Sequence, residues 1–112
     1  MNIQITAKKI EIPPEIRDDA KEKFGKIKKF NHNIQNIEVV FKAEERRIIC
    51  ETIVRLDHHG GSIVIEVAAD SIQGAVDLAV EKCERQLRKE KERESVRRRQ
   101  IAANKHDERE MQ

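Results

Sequence analysis

The stretch from Ile72 to about Arg93 constrains this chain more than any other. Its apolar residues are Ile72, Ala75, Val76, Ala79, Val80, Cys83 and Leu87. They recur at steps of three and four, which is one stripe of an α-helix. Lys82, Arg85, Lys89 and Arg93 fall three, four and four residues apart. At about 100° per residue they form a second stripe beside the apolar one. A helix of this kind needs a body to pack on, and it holds a row of cations next to the buried edge.

The upstream sequence supplies that body. Ile3, Ile5 and Ala7 alternate with Asn2, Gln4 and Thr6, which predicts a half-buried strand that kinks near Lys8-Lys9 and resumes toward Ile10 and Ile12. Pro13-Pro14 ends it, and Pro14 suits a first helical turn. Ile16, Ala20, Phe24, Ile27 and Phe30 then mark the stripe of a first helix. Alternation returns at Ile37–Phe41, Ile48–Asp57 and Ile63–Ala69, with Glu44-Glu45-Arg46-Arg47 and His58-His59-Gly60-Gly61 as the connections. Asp70 or Ser71 can cap the final helix. The order β-α-β-β-β-α makes an α+β fold. Its simplest form is a two-layer sandwich, one four-stranded sheet with both helices on one face and the first strand beside the second.

At 112 residues the chain fits one domain and one core. A net charge of +2 hides a local imbalance: Lys82 to Arg99 holds nine basic and four acidic residues. Phosphate binding depends on local potential, so this window outweighs the total. The first helix adds Lys21, Lys23, Lys26, Lys28 and Lys29. Favourable interaction with the helix dipole accounts for one or two of these lysines, and a polyanionic partner for the rest. With no Trp, no Tyr and three Phe, binding by base stacking is disfavoured. Cys50 and Cys83 lie in apolar patterns and read as buried free thiols. No apolar run approaches the ~18 residues of a membrane span, and the amino terminus lacks a signal-peptide plan. A soluble cytoplasmic protein is expected.

No catalytic constellation stands out, and no cofactor or metal is implied. Asp57, His58 and His59 are explained by a polar hairpin tip, with no third ligand at metal spacing. Gly60-Gly61 lacks the surroundings of a phosphate-cradling loop. His32 and His106 stand alone. In the basic stripe, Glu81–Arg85, Glu84–Arg88 and Glu94–Arg98 are acid-first pairs four apart, worth ~0.2–0.5 kcal/mol each. Lys82 and Lys89 have no such partner and lie seven apart, about 10 Å along one side, a spacing that fits backbone phosphates. After Leu87 the stripe fades into charge, so composition predicts a solvated tail from residue 95, structured only when bound.

The residues also resemble a known family, that of ribosome hibernation-promoting factors and ribosome-associated inhibitors. The resemblance covers about residues 2 to 91. It rests on Asn2-Ile3-Gln4-Ile5-Thr6 followed by Glu11-Ile12 and a proline; on Ile16-Arg17, Lys23-Phe24 and Lys26-Ile27; on Ile37 to Lys42, Gly60-Gly61 and Ala75-Val76-Asp77; and most of all on Glu81 to Lys91, similar to the family ending K-L-E-R-Q-L-x-K-x-K. It implies a fold similar to a double-stranded-RNA-binding domain with an extra first strand. It implies docking on the small ribosomal subunit over the transfer RNA and messenger sites in stress or stationary phase, so that translation is blocked without chemistry. The family's RNA-contacting positions fall on Lys23, Lys29, Lys82, Arg85 and Lys89, with Lys26, Arg88 and Lys91 as further candidates. Gln73 stands where relatives commonly carry an aromatic, and Arg97-Arg98-Arg99 departs from their usual short or acidic tails.

The expectation is therefore a ribosome-binding domain over residues 1–94, a charged tail over 95–112, and small-subunit ribosomal RNA as partner. The protein is expected to be a monomer away from the ribosome, with no small-molecule substrate and no membrane. Two alternatives are a general double-stranded-RNA binder and a protein-interaction module acting through the tail.

Overall fold

Lys9 adopts a left-handed backbone conformation, φ 63°, and this turns the chain out of its first strand. The computed structural model describes residues 2–30, 33–57 and 61–106; for Lys91 and residues 93–106 it describes the backbone only. The elements are β1 (Asn2–Lys8), α1 (Pro14–Gly25), a 3-10 segment (Lys26–Phe30), β2 (Ile34–Glu44), β3 (Arg47–Leu56), β4 (Ser62–Ala69) and α2 (Ile72–His106). This is the β-α-β-β-β-α arrangement. Beyond the kink, Ile10 and Ile12 do not continue the strand but pack against the core, partly buried.

The sheet order is β1-β2-β3-β4. β1 pairs with β2 in parallel, Ile5 opposite Val39, and a parallel neighbour requires a crossover, which α1 provides. The other pairs are antiparallel, with Val39 opposite Thr52 and Thr52 opposite Ile65. Glu45, φ 57°, makes the tight turn between β2 and β3. Past the second turn Gly61 has φ 69°, a conformation glycine adopts without steric cost, and Leu56 N–H donates to Gly61 C=O at 2.9 Å.

Strand periodicity sends Ile5, Ile37, Val39, Phe41, Cys50, Thr52, Val54, Ile63, Ile65 and Val67 to one face. There they meet Ala20, Phe24 and Ile27 from α1 and its extension, and Ala75, Val76, Ala79, Cys83 and Leu87 from α2. Both helices cover this face. Both cysteines are buried free thiols. The opposite face carries Val40, Glu51, Ile53, Val64 and Glu66, with Val64 61% exposed.

Two helix boundaries differ from the sequence expectation. α-Helix stops at Gly25 and the last five residues of the stripe are 3-10. Glycine is a poor helix former, and at three residues per turn Phe24, Ile27 and Phe30 still align on one side. At the other end α2 runs 35 residues, through His106, with no break at the expected start of an unstructured tail. The segment past Leu87 has no Gly or Pro and is dense in Glu, Lys, Arg, Gln and Ala, so local propensity sustains helix where the apolar stripe has ended. Ser71 is the cap: its Oγ accepts the Gly74 N–H at 3.0 Å.

Candidate nucleic-acid interface

Pro14, Glu15 and Asp19 in the first turns and Lys23 in the last orient α1 as a helix with its charges matched to its dipole. Lys26, Lys28 and Lys29 follow in the 3-10 segment, all exposed. On α2, Lys82, Arg85, Arg88 and Lys89 are exposed while Cys83 and Leu87 between them are buried. The apolar stripe therefore fixes where the cations point: away from the sheet, on the helix layer. The side chain of Lys91 lies outside the described residues.

Two contacts show which flank of α2 faces α1. Lys23 Nζ donates to Asp77 Oδ1 at 2.9 Å. Arg88 holds its guanidinium carbon 4.9 Å from the centre of the Phe30 ring. Stepping about 100° per residue from Asp77 puts Arg88 almost directly in line, Arg85 on the crest, and Lys82 and Lys89 some ~120–140° round, on the flank away from α1. The helices lie side by side, and their cations form two ridges. Lys26 and Lys29 belong to one, Lys82 and Lys89 to the other, with Arg85 on the crest between. The seam holds Asp19, Lys23 and Asp77.

Charge pairing separates these residues further. Lys23 is held by Asp77 and also by Asp19, at 3.3 Å, and the hydrogen bonds to Asp77 and then Asp19 raise its pKa above the ordinary lysine value. Arg85 pairs with Glu81 at 2.9 Å, as the i,i+4 spacing predicts. Glu84 and Arg88 form no ion pair among the described residues, because Arg88 turns to Phe30 instead. Lys26, Lys29, Lys82 and Lys89 make no ion pair among the described residues. Asp19–Lys23 is acid-first at i,i+4 spacing and was legible in the sequence. The partners from other elements, Asp77 for Lys23 and Phe30 for Arg88, carried no local signal.

Among the described residues no group of His, Cys, Asp or Glu could hold a metal, and no helix is long and apolar enough to cross a membrane. His58 and His59 lie outside the described residues.

Residues 3–95 match the family described as sigma 54 modulation protein / S30EA ribosomal protein. The chain belongs to that family. Among its relatives, a ribosome hibernation promoting factor of Klebsiella oxytoca is 31% identical over 93 residues, covering 83% of this chain and 96% of the relative. A ribosome hibernation promotion factor of Bacillus subtilis is 32% identical over 95 residues, which is 81% of this chain but 49% of the relative. Among solved structures, a ribosomal subunit interface protein from Coxiella burnetii superposes with a TM-score of 0.75 at 31% identity, covering 81% of this chain and 98% of the other. The fold and the arrangement of its two helices are thus those of this family.

Proposed function

We propose that this protein is a ribosome hibernation factor that acts in the cytoplasm. It docks on the small ribosomal subunit through residues 1–94 and stops translation by occupying the space of transfer RNA and messenger. No bond is made or broken; occupancy is the mechanism. The observation that supports this most is the placement of Lys26, Lys29, Lys82, Arg85 and Lys89. All five are exposed on the helix layer, and four of them lack an ion pair among the described residues. Unpaired cations in rows attract a polyanion; the relatives' names refer to ribosomes, and ribosomal RNA is the polyanion such a surface would meet there.

Co-sedimentation with purified ribosomes, on gradients at two salt concentrations, tests the reading. Binding to small subunits at low salt and release at high salt is the expected result. Equal affinity for free duplex RNA would favour a general double-stranded-RNA binder. Loss of binding on deleting residues 95–112 would favour a module acting through the tail. Free migration of the protein at low salt would overturn docking altogether.

A further inference from the structure

Lys23 and Lys82 look alike in the sequence, a lysine on the basic side of an amphipathic helix, but the structure gives them different work. Lys23 Nζ lies 2.9 Å from Asp77 on α2 and 3.3 Å from Asp19 on its own helix. One of its three donors is thereby hydrogen-bonded to Asp77, and the ammonium is paired with Asp19 besides. A phosphate reaching this ammonium would come up against two carboxylates, both about half-exposed or more. Lys82 and Lys89, by contrast, are exposed and make no ion pair among the described residues.

We infer that Lys23 is a positioning residue: with Asp77 it ties α1 to α2 and sets the spacing of the two cationic ridges, and it makes no contact with phosphate. The pair spans 54 positions of sequence and joins the helices where their flanks meet. Each ridge is carried by a different helix, so a rigid polyanion can engage both only if the helices keep one separation. Surface ion pairs contribute little to global stability. The effect of this one falls on geometry. The inference rests on the docking proposed above.

The sign of one substitution separates the two roles. If Lys23 touched phosphate, Asp77→Asn would free it and remove a repelling charge, and ribosome binding would tighten. If Lys23 and Asp77 are a clasp, D77N weakens binding by about two- to five-fold, the range open to an exposed pair. K23Q then matches D77N, and the double variant binds no worse than either single one. The log–log salt slope is the second measurement. K23Q leaves it unchanged if the residue positions, and flattens it by ~0.7–0.9 if it neutralises a phosphate. Tightening by D77N, additive losses or a flattened slope in K23Q would each overturn the clasp. Both side chains are on the surface, so the variants fold, and circular dichroism verifies this. Should the wild type fail to bind ribosomes, the docking proposal falls. Urea unfolding of the same four proteins still decides the clasp, because non-additive midpoints report the pair and additive ones refute it.

Discussion

Arg88 on α2 lies over the ring of Phe30 at the end of the 3-10 segment, 4.9 Å from its centre. The contact joins two elements that the sequence assigns separate duties, one a cation for RNA and the other a core residue. An exposed cation–π contact is worth about 0.5–1 kcal/mol. A cycle of Arg88→Gln, Phe30→Leu and the double variant in urea unfolding should return a coupling energy of that size. Additivity would show that the ring and the guanidinium are mere neighbours.

On the open face of the sheet, Glu51 and Glu66 are register partners in β3 and β4. Like charges directly opposite each other destabilise a strand pair, and neither carboxylate has a cationic partner among the described residues. Glu66→Lys should therefore stabilise the fold by about 0.2–1 kcal/mol, read as a higher urea midpoint at unchanged slope. Glu51→Lys should do the same, and making both changes should remove the gain.

Burial pushes the Cys50 thiol up to about 11, against the opposing contact with Thr52, and pushes Cys83 up to about 12, with Cys50 adding to the effect. A thiol reagent at pH 8 should label neither in the folded protein and both in urea, since the thiolate is the reactive form. The same shifts fix a pH dependence. The native state holds these protons more tightly than the unfolded chain, whose thiols titrate near 9.0. Their stabilisation is complete below about pH 9 and is lost as pH rises through 11 to 12. Lys23, also raised, acts in the same direction above 10.5. An unfolding midpoint that rose between pH 9 and 11 would contradict this.

If about five cations meet phosphates, the log–log salt slope for ribosome binding should be on the order of −3 to −5. Replacing Lys82, Arg85 and Lys89 together by Ala should flatten it by ~2–3 while the circular dichroism spectrum stays the same. These side chains are exposed, so their loss leaves the core intact. An unchanged slope would remove α2 from the docking surface.

Periodicity made most of the fold legible. Apolar residues at every second position marked Ile37–Phe41 and Ile63–Ala69, and the spacing of Ala75, Val76, Ala79, Cys83 and Leu87 marked the buried face of α2. A kink near Lys8-Lys9 and a cap at Asp70 or Ser71 were also visible as local chemistry, and the structure places them at Lys9 and Ser71. The end of α1 was harder. The spacing of Phe24, Ile27 and Phe30 suits an α-helix and a 3-10 segment alike, and Gly25 alone tipped the balance. At the other end, the fading of the apolar stripe past Leu87 argued for an unstructured tail, whereas helix propensity carried α2 to His106.

The amino-acid sequence by itself determined the order of elements, the residues of the core and the cationic edge of α2, because each follows from spacing along the chain. Tertiary structure alone decided which cations find a partner on another element. Lys23 met Asp77, and Arg88 met Phe30, only when the sheet brought two distant helices flank to flank. Such a partner is set by packing in three dimensions, and no local pattern of residues encodes it.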